Sequence, residues 1–158
     1  MVKIDVHLIF HIKNTSVPMN PVDLPRIFAY IGGILKEIGS IPIIVGGISD
    51  HVHNLLALPQ SMTISELARI TKAKSSKWIK HLSPAYSTFA WQTGYGAFSV
   101  SPSILDKTIL YIKTRSSIIG QKRFRKNTRR FWKPIKSRMT RSIFLMIDHG
   151  MDATHGDG

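Results

Sequence analysis

Cysteine is absent from the 158-residue chain. That excludes disulfides, zinc ribbons and thiol nucleophiles, and leaves any metal to histidine, carboxylate or amide ligands. Long apolar runs are also missing: no stretch reaches the roughly 18–20 residues that a membrane-spanning helix needs, and no apolar leader segment is expected. Both absences fit a protein of the reducing cytoplasm that works without a membrane. Acids are scarce, with 9 Asp and Glu against 22 Lys and Arg. The resulting net charge of +13 suggests a nucleic-acid partner, but its distribution weakens that reading. Residues 1–112 hold 10 Lys and Arg against 6 acids, whereas residues 113–158 hold 12 against 3. Most of the charge therefore sits in the C-terminal tail. The remainder, in a chain that is 43% hydrophobic, has the composition of one globular domain with a core of its own.

Hydrophobic periodicity orders that domain. Val6, Leu8, Phe10 and Ile12 alternate as one face of a strand. After a turn-rich stretch, Leu24, Ile27, Phe28, Ile31, Leu35 and Ile38 recur every three or four residues, a helix that Gly39 stops. A β-branched run over residues 41–45 leads to the glycine pair Gly46-Gly47 and then to a strand over residues 51–58. Thr63 and Glu66 form a capping box ahead of a helix through Leu67, Ile70 and Trp78. A strand over residues 94–100 and a helix opened by Ser101-Pro102 complete the pattern. Strand, helix, strand, strand, helix, strand, helix predicts an α+β fold. Its natural closure is a ferredoxin-like antiparallel four-stranded sheet with helices packed against it, followed by a C-terminal helix and an irregular basic tail.

His51-Val52-His53 lies in a predicted strand, so both imidazoles share one face. Two imidazoles a strand-step apart can chelate one divalent cation, and they can equally be structural histidines on an apolar strand. His7 and His11 also share a strand face, but their wider spacing reads as structural or surface. Tyr111 is a core residue by periodicity. It becomes a nucleophile only where its phenol proton is taken or its target is polarised. Lys72, Lys74, Lys77 and Lys80 sit on one helix and read either as phosphate contacts or as a solvated face.

Three blocks, in order and at matching spacing, resemble the small single-tyrosine HUH transposases of bacterial insertion sequences. They are Asp50-His51-Val52-His53-Asn54-Leu55-Leu56, then Trp91-Gln92-Thr93-Gly94-Tyr95-Gly96-Ala97-Phe98-Ser99-Val100-Ser101, then the helix ending Tyr111-Ile112. The resemblance implies a transposase domain over residues 1–115 and a homodimer acting on single-stranded DNA and DNA hairpins. It implies that His51 and His53 hold Mg²⁺ or Mn²⁺, and that Tyr111 attacks a phosphodiester to give a 5′-phosphotyrosine intermediate and strand transfer. The alternative is a non-catalytic hairpin-binding module derived from such an enzyme. A ferredoxin-like RNA-binding domain is disfavoured, because aromatics on adjacent strands are not evident.

The chain departs from the family after the tyrosine. The family pattern Tyr-Ile-x-x-Gln-x-x-His-His is met here by Tyr111-Ile112-Lys113-Thr114-Arg115-Ser116-Ser117-Ile118-Ile119. The family glutamine completes the metal site, whereas Arg115 carries no ligating lone pair and repels a cation. Writing residues 113–122 in permitted codons and shifting the frame by one base recovers Asn-Gln-Lys-Gln-His-His-Arg-Thr-Lys, with the glutamine and both histidines in register. Residues from about 113 onward accordingly read as an out-of-frame tail, and the basic segment 116–158 as an accident of frame rather than a DNA footprint.

Overall fold

The computed structural model describes residues 3–116. The basic tail expected over residues 116–158 lies, from residue 117 on, outside the described residues. The elements are β1 (Asp5–His11), α1 (Leu24–Glu37), β2 (Ile41–Ile48), β3 (His51–Ala57), α2 (Ile64–Leu82), β4 (Gly96–Val100) and α3 (Pro102–Ser116). The strands pair in the order β2-β3-β1-β4, every neighbouring pair antiparallel, which is the ferredoxin-like arrangement expected from the sequence.

Local chemistry sets the element ends. Gly39 adopts φ +91°, a left-handed conformation that L side chains avoid, and the Ser40 N–H donates back to the Leu35 carbonyl to close α1. Thr63 caps α2 by accepting from the Glu66 N–H at 3.1 Å, an interaction typically worth about 1 kcal/mol. Two expectations shift. β2 runs through Gly46-Gly47 to Ile48 instead of ending before the pair, because both glycines pair with β3. β4 begins at Gly96 and not at Gly94, whose φ of +86° belongs to the turn before it.

The sheet is covered on both sides. Val6, Leu8 and Phe10 of β1 and Val52 and Leu56 of β3 meet Ile27, Ile31 and Leu35 of α1 and Leu67 and Ile79 of α2 in the main core. On the opposite face, Leu55 of β3 and Val100 of β4 pack with Ile112 of α3, flanked by Ile104, Leu105 and Ile109. The central strands β1 and β3 are consequently buried on both faces. This is why β3 reads as a nearly unbroken apolar run interrupted by polar residues with a task.

Candidate active site on the sheet face beneath helix α3

Antiparallel register assembles a histidine cluster from two strands. His11 pairs with His51, Ile9 with His53 and His7 with Leu55. Paired residues project from the same side of a sheet, so His7, His11, His51 and His53 all lie on the face covered by α3. The His51 and His53 rings are 4.8 Å apart at 76°, and His11 stacks on His51 at 5.0 Å.

Each histidine of the pair is held through its Nδ1. The His51 Nδ1–H donates to the Asp50 carboxylate at 2.6 Å, which leaves Nε2 as the ring's second nitrogen. His53 Nδ1 shares a hydrogen bond of 2.8 Å with His7 Nε2. His53 Nε2 is buried without a hydrogen-bond partner. Burial holds the His7 pKa down at about 4. Burial, followed by the neighbouring His7, His51, Arg115 and His11, holds His53 well below the usual imidazole range. Both rings are therefore uncharged at neutral pH.

α3 brings Tyr111 onto this face. Its anchor is Gly46, where the helix comes so close that a Cβ would fall on the Ser116 hydroxyl and 2.7 Å from Ile112 Cγ2. The Gly47 N–H donates to Ser116 Oγ at 2.9 Å, and that hydroxyl donates to the Ile112 carbonyl. With Ile112 fully buried between these contacts, the Tyr111 ring stands edge-on to His53, centroids 5.5 Å apart at 86°. Burial raises the Tyr111 pKa above its ordinary value and the Arg115 charge opposes the rise. One helical turn on, the Arg115 guanidinium lies 6.0 Å from the Tyr111 ring centre. Its charge also reaches His11 and His53.

The donor set decides how well this face suits a divalent cation. Two imidazoles on one side, each steadied through Nδ1, and an orphaned Nε2 on His53 are what half a metal site looks like. The described residues include no group of three or more His, Asp or Glu able to hold an ion. The nearby guanidinium cannot ligate one and repels it. The residues present therefore do not fit a complete Mg²⁺ or Mn²⁺ centre.

Sequence reasoning placed His51, His53 and Tyr111 as candidates, and the fold brings all three together. It set His7 and His11 aside, and the structure puts both in the same cluster. The lysines lie elsewhere, on α2 across the sheet. Lys72 donates to the carbonyls of Gln92 at 2.7 Å and Gly94 at 2.8 Å, tying the approach to β4 onto α2. Lys74 pairs with Glu37 at 3.4 Å. Lys77 borders a groove between α1 and α2 that also contains the stacked Tyr30 and Trp78 rings, 4.2 Å apart. Lys80 is exposed.

Among the described residues no helix is long and apolar enough to cross a membrane. No curated protein matches the chain. A crystal structure from Deinococcus radiodurans R1, assigned as a transposase, is similar at 20% identity and a TM-score of 0.55, covering 74% of this chain and 94% of that one. At that identity the likeness speaks for the fold. A REP-associated tyrosine transposase bound to a REP hairpin has a TM-score of 0.49 and 11% identity, covering 72% of this chain and 66% of that one. Residues 1–115 match the family described as IS200-like transposases. With that match running from β1 through the tyrosine helix to Arg115, the chain belongs to the IS200-like transposase family.

Proposed function

We propose that this chain binds hairpin-forming single-stranded DNA as a homodimeric single-tyrosine transposase whose strand-cleavage chemistry is impaired. The observation that carries the reading is Tyr111 standing edge-on to His53, over a buried histidine pair with an orphaned nitrogen. In the reaction proposed, the Tyr111 oxygen attacks a backbone phosphorus. A phosphotyrosine bond forms at the 5′ side, the P–O bond to the 3′ side breaks, and the departing strand keeps a 3′-hydroxyl. The reverse step, on a new 3′-hydroxyl, joins strands without an external energy source. In an intact family site His51 and His53 would hold Mg²⁺ or Mn²⁺, which would polarise the phosphate; with Arg115 in place of a third ligand that set is incomplete here.

Two features support impairment. Burial raises the Tyr111 pKa above its ordinary value, opposed only by the Arg115 charge, and a phenol is a poor nucleophile until a base takes its proton. Arg115 supplies a positive charge on the face where the family supplies a neutral ligand. Any residual cleavage is expected to be greater in Mn²⁺, which tolerates imidazole, than in Mg²⁺, which prefers oxygen. Arg115 also favours a second reading, a hairpin-binding module without catalysis.

Tyr111→Phe separates the two. If residual chemistry exists, a denaturing gel shows a faint DNA–protein adduct in the wild type and none in the variant, while a native gel shows equal hairpin binding by both. A wild type that binds hairpins in excess chelator and forms no adduct supports the binding module. Failure to bind hairpin DNA under any condition contradicts both.

A further inference from the structure

Tyr30 of α1 and Trp78 of α2 stack at 4.2 Å and 8° in the helix layer, across the sheet from the histidine face. Their surroundings differ. Trp78 packs against the main core, whereas Tyr30 stays 37% exposed although the indole covers one of its faces. The phenol ring is thus held as a fixed plate on the outside of the helix pair. It borders a groove of about 760 Å³ between α1 and α2, within the roughly 300–1,000 Å³ typical of ligand sites. Gly33, nearly one turn after Tyr30, keeps the groove open. A Cβ there would meet nothing within 4 Å, so packing does not require this glycine, and glycine inside a helix is itself disfavoured. The groove is positive once its ion pair is set aside. Its acid, Glu37, lies 3.4 Å from Lys74. Lys77 and the exposed His81 also line it, and among the described residues neither of them pairs with an acid.

We infer that this groove takes an unpaired nucleotide of single-stranded DNA, its base stacked on the open face of Tyr30 and its phosphate beside Lys77. An aromatic plate accepts any base, because every base has a π face, and a nearby cation holds the backbone. Inside a duplex both faces of a base are covered by its neighbours, so the plate selects nucleotides that are unpaired. The choice of DNA rests on the function proposed above. Because α1 and α2 lie across the sheet from α3, a strand held here owes nothing to His51, His53 or Tyr111. Its binding therefore persists where the chemistry on the other face is impaired.

Photocrosslinking reads the groove separately from the basic tail. The full chain, subsaturating and in excess EDTA, is irradiated with a hairpin-bearing oligonucleotide that carries 5-iododeoxyuridine at an unpaired position, then digested with trypsin and mapped by mass spectrometry. Tyr30 falls in peptide 27–36, Trp78 in 78–80 and Trp132 of the tail in 131–136. Adducts are expected at Tyr30. Tyr30→Phe should keep the adduct in peptide 27–36, and Tyr30→Ala should lower its yield about tenfold, the size expected for one lost base–aromatic stack. Gly33→Glu places an acid in the open groove and should lower the yield comparably. Circular dichroism melts confirm that the variants fold, and the glutamate variant keeps the question decidable if the alanine variant does not. A duplex with the same modified base paired should give no adduct at Tyr30. Three results overturn the inference: adducts confined to peptide 131–136, a yield indifferent to Gly33→Glu, or equal capture of the paired base. If one of these occurs while a native gel still shows a hairpin shift, the groove is rejected and the proposed function stands; loss of the shift as well rejects both. Preferential capture of the matching ribo-oligonucleotide overturns the assignment to DNA.

Discussion

His7 holds His53 by a single hydrogen bond of 2.8 Å between two buried rings. Replacing His7 by Ala leaves His53 Nδ1 buried without that partner, a loss that costs about 1–3 kcal/mol. Urea unfolding of His7→Ala should show a fall of that size, and His7→Gln, which keeps a polar group near the ring, should lose less. Equal stability of all three proteins would remove His7 from the site's support. The residue scale also shows what a sequence can and cannot disclose. The shared face of His51 and His53 follows from strand alternation over three residues, a local rule. The role of His7 depends on β1 lying beside β3, a pairing between residues 46 apart that only the fold establishes. His51 and His53, two residues apart on one strand, and His7 and His11, four apart on the other, each share a face, a usable signal once the strands are known to be neighbours. Lys72 shows a contact that its charge alone does not disclose. The sequence leaves it as a phosphate contact or part of a solvated face, and the structure adds that it donates to two backbone carbonyls of the segment before β4.

At the scale of elements, the placement of Tyr111 depends on how closely α3 approaches β2. Gly46→Ala would drive a Cβ into the Ser116 hydroxyl and against Ile112 Cγ2. Overpacking of this kind typically costs about 1–3 kcal/mol. The helix has to move away from the sheet to relieve it, taking Tyr111 with it. Lower stability together with weakened ring-current shifts at His53 is expected in the variant. An unchanged protein would show that the close approach is unimportant. Gly33 on α1 is the matched control, since a Cβ there meets nothing within 4 Å. Gly33→Ala should raise stability by about 0.5–1 kcal/mol, as expected for alanine replacing glycine on an open helix face. The α1, α2 and α3 segments were all legible from apolar spacing and capping residues. The extent of β2 was not, because glycines that usually punctuate a chain here make room for a helix, and nothing local distinguishes the two uses.

For the molecule as a whole, the sheet divides the protein into two sides with different tasks. α1 and α2 cover the main core, while α3 covers the histidine face. A nucleic acid reaching both Tyr111 and the exposed Lys77 and Lys80 of α2 has to pass around an edge of the sheet. Burial of the histidines also makes the domain acid-sensitive. His7 titrates near 6.5 when exposed and at about 4 when folded, so the unfolded chain binds its proton first as pH falls. The neutral ring's contribution is intact above about pH 6.5, is lost between about 6.5 and 4, and levels off below 4, to a total of up to ~3 kcal/mol. His53 acts in the same direction. Denaturant midpoints across that range should fall in the wild type and fall less in His7→Gln; a flat profile would contradict the burial of neutral histidines.

The basic tail belongs to this scale as well. The family match stops at Arg115, within three residues of the change of frame that the codon argument places at about residue 113. The proposed shift is tested by the nucleotides from codon 110 onward, which should encode the Gln-x-x-His-His pattern in the neighbouring frame. An unrelated neighbouring frame would make Arg115 a native feature.

The central claim is that this transposase fold retains DNA binding while its chemistry is impaired at Arg115. It is tested most directly by incubating the full chain with a hairpin-bearing single-stranded oligonucleotide in Mg²⁺ and in Mn²⁺, then running native and denaturing gels on each reaction. The account predicts a clear mobility shift in the native gel and little or no covalent species in the denaturing gel, any trace being stronger in Mn²⁺ and absent in Tyr111→Phe. Conversion of most of the oligonucleotide to a Tyr111-linked adduct in Mg²⁺ would contradict it.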